Sequence, residues 1–230
     1  MKNILNCTKQ EILDRAKYRC VHRHNGISHT KCFDNKNGKV EERIAFLDIE
    51  TENLNADWGI MFCWVIKDSK TGKILFDTLQ KRDLSTLKPS NIHDQPKDDK
   101  RLVAGLIDAL RGFDRVVAHF GVGFDFPFMR TRAVICGLEF PSYGELFQSD
   151  TWVYLKKKFK LSRNSLENGC RALCGETHKD RLSLSARHGC LRGEKWAMDY
   201  TLKHCIQDVE DLFALYNKTN RFSRKTKSSI

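Results

Sequence analysis

Two acids close a hydrophobic run. Asp48 and Glu50 lie in Arg43-Ile-Ala-Phe-Leu-Asp-Ile-Glu-Thr-Glu52 at i,i+2 spacing. In a strand, that spacing turns both carboxylates to one face at the carboxyl end. Burying two acids beside apolar neighbours is costly unless a cation neutralises them, so the pair reads as a metal site. Two distant segments add acids. Asp125 follows the apolar run Val116-Val-Ala-His-Phe120, and Asp208 sits on a helical stretch with His204 one turn earlier on the same face. Four carboxylates offer enough hard oxygen ligands for two Mg²⁺ or Mn²⁺ ions. Two ions about 4 Å apart can hold a phosphodiester, generate a hydroxide and stabilise the departing oxygen. The His204 imidazole titrates near neutral pH and could take a proton from the attacking water. Plainer roles stand beside these: turn-capping acids for Asp48 and Glu50, an N-cap for Asp125, an exposed helix acid for Asp208 and a surface residue for His204.

A second set of ligand types lies near the start of the chain. Cys20, His22, His29 and Cys32 flank an Asn25-Gly26 turn, with His24 as an alternate. Two thiolates and two imidazoles suit one structural zinc, which could organise a segment with little core of its own. The spacing is not that of an ordinary finger, and a basic loop without metal fits the same residues. Nine cysteines do not make this a disulfide protein, because their spacing is wide and their number odd.

The elements that must position the acids can be read from periodicity. Lys9 to Arg19 fits a short amphipathic helix. Residues 42–50, 58–66 and 73–79 read as strands, the last two joined by the turn Asp68-Ser-Lys-Thr-Gly72, so the three should pair antiparallel. Leu102, Val103, Leu106, Ile107 and Leu110 repeat at helical spacing before Gly112. That crossover helix places the next strand, 116–120, parallel to the first. A helix should begin near Pro127 and stop at Gly137, another should span 165–174, and the clearest late helix is Tyr200 to Tyr216. Residues 138–163 and 175–198 carry no decisive pattern. The expected organisation is an N-terminal extension (1–40), an α/β three-layer domain with a central mixed sheet (41–216) and a basic tail without order (217–230). Both acid-bearing strand ends fall where open α/β sheets place ligands.

The chain has 230 residues and a net charge of +11. That charge favours an anionic partner, nucleic acid first. The densest basic run is Lys156-Lys-Lys-Phe-Lys160 with Arg163, a solvated surface or a phosphate contact. No apolar run approaches a membrane span, and Met1 to Cys7 is too short and polar for a secretory signal. The expected setting is the cell interior, cytoplasm or nucleoid, with a viral source also compatible.

Three stretches carry a family resemblance. Phe46-Leu-Asp48-Ile-Glu50-Thr51 resembles the first motif of the DEDD, ribonuclease H-like 3′–5′ exonucleases. Ala118-His-Phe-Gly-Val-Gly-Phe-Asp125-Phe-Pro-Phe-Met-Arg130-Thr-Arg132 resembles the second, and His204-Cys-Ile-Gln-Asp208-Val the third. The likeness is greatest to the predicted exonuclease group related to the proofreading domain of family B DNA polymerases, and it spans about residues 42–216. It implies a ribonuclease H-like fold and hydrolysis from a free 3′ end of DNA or RNA, single-stranded DNA foremost. In the implied scheme Asp48 bridges both ions, Glu50 and Asp208 serve the nucleophile-side ion, and Asp125 anchors the second. Arg130 and Arg132 would touch the nucleic-acid backbone or remain surface charges. Ser149-Asp150-Thr-Trp152 fits the section between motifs, which makes Asp150 structural rather than a fifth ligand. One departure stands out. The tyrosine subclass carries Tyr four residues before the last Asp, where this chain has His204. The histidine subclass carries His five residues before, where this chain has Lys203. A nucleic-acid-binding or processing factor with an impaired exonuclease-like core is the alternative.

Overall fold

The computed structural model describes residues 8–20, 24–28, 30–34, 42–84, 97–177, 182–223 and 228–230. The sheet is mixed and five-stranded. Strand β1 (Ile44–Thr51) sits at its centre, paired antiparallel with β2 (Met61–Asp68), which pairs antiparallel with β3 (Ile74–Thr78). On its other side β1 runs parallel to β4 (Arg115–Ala118), and β4 runs parallel to β5 (Phe147–Asp150). The antiparallel half and the parallel β4 match the sequence expectation.

Alternation along β1 divides the core. Ala45, Leu47 and Ile49 face helices α3 (Lys100–Leu110) and α4 (Asp125–Ile135), where they meet Leu102, Leu106, Phe126 and Met129. Phe46 faces the other layer, built from α5 (Thr151–Lys158), α6 (Leu166–Leu173) and the long α8 (Lys195–Thr219). A short helix, α7 (Leu184–Leu191), packs on α8. The chain is thus an α/β domain with a helix layer on each face, consistent with a ribonuclease H-like three-layer fold. Before the sheet come α1 (Lys9–Lys17), opened by a Thr8–Glu11 capping box, and α2 (Thr30–Asp34). Among the described residues no helix is long and apolar enough to cross a membrane.

Two regions without a readable pattern contain elements. Phe147–Asp150 is a strand because β4 offers it a parallel edge, and four residues are too few to show a period. Asp150 then caps α5, accepting from the backbone N–H groups of Trp152 and Val153. Leu184–Leu191 is capped in the same way by Ser183. Of the tail expected over 217–230, residues 224–227 lie outside the described residues. Helix α8 continues to Thr219, and Ser228–Ile230 lie along β5. There Ser228 and Leu146 carbonyls accept from Gln148 and Ile230 N–H groups, and the Ile230 side chain is buried. An apolar end residue finds the sheet edge, which the basic composition of the segment conceals.

Candidate metal centre at the carboxyl end of β1

Helix α8 runs antiparallel to β1. Its later turns meet the start of the strand, where the Phe46 ring packs edge-on against Phe213 and Tyr216 at centroid distances of 5.0 and 5.2 Å. Its earlier turns therefore cover the end of the strand, where the Phe46 face continues through Asp48 and Glu50. A buried stripe of Thr201, His204, Cys205, Asp208, Val209, Leu212 and Leu215 makes this contact.

Three ligand types converge there. One ligand atom each from Glu50, His204 and Asp208 lies within 4.8 Å of the others, and among the described residues this is the one such group. His204 Nδ1 stands 3.1 Å from Glu50 Oε1 and 3.9 Å from Asp208 Oδ2. His204 and Asp208 are buried and Glu50 is partly so. Two carboxylates and an imidazole at this separation could coordinate a single divalent ion. Buried acids this close repel one another, and a cation relieves that cost.

Asp48 lies beside this group but outside the 4.8 Å set. Its Oδ2 accepts from the Cys205 thiol at 3.2 Å, and its carbonyl from the same sulfur at 3.4 Å. Burial, then the neighbouring Cys63, pushes the Cys205 thiol well above its ordinary range, which keeps the proton that Asp48 receives. Asp125 also stays outside the tight group. It is buried at the first turn of α4, and burial pushes its carboxyl up to about 7. Its own backbone N–H and that of Ile49 oppose the shift, and the carboxylates of Asp150 and Glu50 add to it. Asp125 therefore faces the end of β1 across from α8.

The loop between β4 and α4 is held by Asp150. Besides capping α5, its carboxylate accepts from Phe120 N–H at 3.0 Å and Val122 N–H at 3.1 Å. Four backbone donors make Asp150 a structural anchor rather than a ligand. Phe120 adopts φ 65°, a left-handed conformation that costs a side-chain-bearing residue roughly 1–2 kcal/mol. Its ring lies over Gly123, where an added Cβ would come within 2.4 Å of the ring. His119 bridges Thr151 Oγ1 and the Asn164 carbonyl, both at 2.9 Å, and serves the scaffold.

Arg132 reaches neither the surface nor a position open to a nucleic-acid backbone, which corrects both of its expected roles. Its side chain is wholly buried and forks onto Asp99, with Nε–Oδ2 at 2.9 Å and Nη2–Oδ1 at 2.5 Å. Arg130 is exposed. Of the proposed zinc quartet, Cys20 and Cys32 are buried neighbours, and His22 and His29 lie outside the described residues. Burial, followed by Cys20, pushes the Cys32 thiol up to about 12. His24, the alternate, stacks on Phe147 with centroids 5.3 Å apart. A cavity of about 490 Å³ lies at the opposite pole of the sheet, lined mainly by residues 110–114, 139–141 and 143–146, and Asp48, Glu50, Asp125 and Asp208 are not among its lining.

Cys205 and Cys63 are the site neighbours that sequence reasoning passed over. Cys63 looked like a core residue in an apolar strand, and its register opposite Glu50 emerges only with the pairing of β1 and β2. For Cys205 the signal was present: it adjoins His204 and precedes Asp208 by three residues, on the same helix face.

No protein-family model matches the chain, and no curated protein does. Solved structures match it in fold. One is the family B DNA polymerase from the hyperthermophilic archaeon Pyrobaculum calidifontis, with a TM-score of 0.61 and 18% identity. The match covers 79% of this chain and 25% of that one, so the chain spans about a quarter of the polymerase's length. At this identity the likeness establishes the fold.

Proposed function

We propose that the protein is a metal-dependent 3′–5′ exonuclease acting on DNA or RNA. The observation that carries the reading is the convergence of Glu50, His204 and Asp208 from β1 and α8 into one potential ion site, with Asp48 and Asp125 beside it. The three motifs that resemble DEDD exonucleases supply those same residues. The shared fold with part of a family B DNA polymerase agrees with a nucleic-acid substrate.

In this reading Asp48, Glu50, Asp125 and Asp208 hold two Mg²⁺ or Mn²⁺ ions. The ions would supply charge neutralisation at the phosphodiester and a water of lowered pKa. Cys205 fixes the Asp48 carboxylate by donating a hydrogen bond from its thiol. Glu50 and Asp208 confine the His204 ring from two sides, and the imidazole accepts the proton of the attacking water. Cys20 and Cys32, buried together, are proposed to hold one structural zinc with His22 and His29. Elemental analysis of protein purified without added metal should then find about one zinc per chain.

The direct test uses paired DNA and RNA oligonucleotides with separate 5′ and 3′ labels, in Mg²⁺ and in Mn²⁺. Mononucleotide release from the 3′ end, lost in Asp48→Asn with the fold intact, supports the assignment. A mutant as active as the parent defeats it. Tight binding without hydrolysis in either metal favours the impaired-factor reading. A circular single strand left intact separates end-dependent removal from internal cleavage.

A further inference from the structure

Moving outward across the sheet from Glu50, the next strand ends carry the Asp125 loop (after β4) and the start of α5 (after β5). On that side the protein shows solvent an aromatic and cationic surface. Phe120 is 44% exposed and Val122 48%. The Phe120 ring meets Trp152 edge-on at 5.2 Å, and Lys156 Nζ lies 4.7 Å from the Trp152 ring centroid. Lys157, Lys158, Lys160 and Arg163 continue the charge along exposed positions. Lysines in the last turn of α5 suit the helix dipole, but that does not explain a phenylalanine kept in the left-handed region with nearly half its surface exposed. Asp150 ties surface and site together: it holds the backbone of Phe120 and Val122 in the loop that leads into Asp125.

We infer that Phe120, Trp152 and Lys156 form the landing surface for the terminal nucleotides of a single strand. A base stacks on the Phe120–Trp152 pair, and Lys156 with the lysines beyond it follows the phosphates. Aromatic rings beside a positive track are the combination that binds unpaired strands with little sequence preference. The inference rests on the exonuclease reading for its choice of ligand, and it names the feature that would select unpaired ends over duplex.

The test separates strand binding from bond cleavage. Phe120→Asn suits the left-handed backbone and removes the ring, and Lys156→Gln removes one surface charge. Tyr143→Ser, at an exposed position by the opposite pole, is the control. Binding of a fluorescein-labelled dT12 strand is followed by anisotropy in EDTA. Cleavage of the p-nitrophenyl ester of thymidine 5′-monophosphate, which carries no following strand, is followed with Mn²⁺. Phe120→Asn should weaken strand binding on the order of tenfold, the worth of one stacked base, and lower strand cleavage far more than ester cleavage, while Tyr143→Ser should leave strand binding and ester cleavage at the parent's values. Lys156→Gln should weaken binding and flatten its salt dependence. Strand affinity equal to the parent's in Phe120→Asn would overturn the inference and leave the ring to a protein partner. If the parent cleaves neither ester nor strand but Phe120→Asn still binds the strand poorly, the landing surface stands and the exonuclease reading falls.

Discussion

Two places in this domain bury charge, and they do so in opposite ways. Between α3 and α4, Asp99 receives both arms of Arg132, together with the Met61 N–H at 2.9 Å. A third guanidinium nitrogen donates to the Ala56 carbonyl at 3.0 Å. Charge and hydrogen-bonding capacity are met by the protein itself. At the carboxyl end of β1, Glu50 and Asp208 meet across one imidazole, with Asp48 receiving a thiol and Asp125 pushed toward neutrality nearby. Acids here outnumber the one imidazole among them. The first arrangement is complete without a ligand and belongs to the fold. The second is an arrangement that a cation could complete, and in the proposed reading it is the working site.

The largest effect should separate these two roles. Asp208→Asn is expected to lower metal-dependent turnover by roughly a thousandfold, about 4 kcal/mol of transition-state stabilisation. In EDTA the same variant should unfold in urea no earlier than the parent, since it removes one of several like charges. A variant that keeps its turnover, or unfolds much earlier, would mean the cluster is structural after all. Arg132→Met should reverse the pattern. It strands a buried carboxylate and should cost about 3–5 kcal/mol in urea unfolding. If Arg132→Met left stability unchanged, the contrast between the two sites would collapse.

The same contrast governs what could be read in advance. The meeting of Glu50 with His204 and Asp208 was legible because strand and helix periods place side chains on faces, and those faces follow from local sequence. The antiparallel half of the sheet was legible for the same reason, through the Asp68–Gly72 turn. Arg132 was not. It sits among helix charges that look solvent-exposed, and only the packing of α3 on α4 brings Asp99 to it. Phe147–Asp150 became a strand through a neighbour rather than a pattern, and Ile230 found that strand's surroundings from the far end of the chain. What escaped was decided by distant partners, and a period in the sequence carries no trace of them.

Metal addition should have the next largest effect, and it should act on one site alone. At about a hundred times the dissociation constant, Mn²⁺ or Mg²⁺ should raise the parent's unfolding free energy by about 2.7 kcal/mol. The gain should shrink sharply in Asp208→Asn and persist undiminished in a conservative Asp99→Asn variant that still folds. Equal gains in parent and Asp208→Asn, measured by urea unfolding with metal against EDTA, would place the ion elsewhere.

Asp68 lies between these extremes and should give the smallest signal. Burial alone would raise its carboxyl, but the Arg43 guanidinium at 2.8 Å and the Lys70 and Thr71 N–H groups outweigh it and hold the group below its ordinary range. A depressed carboxyl contributes stability above its unfolded value, near 3.9, and loses it as pH falls through the lower folded value. The parent should therefore exceed Asp68→Asn in stability at pH 6, with the difference closing below about pH 4. Because the Arg43 side chain is 42% exposed, solvent screens the pair, and the whole effect should stay within about 1 kcal/mol. A difference that persists unchanged to pH 2 would assign Asp68 to turn geometry, through its contacts with Lys70 and Thr71, rather than to charge. An ion pair open to water is tuned by pH, the closed Asp99–Arg132 pair by packing, and the acids at the end of β1 by a cation.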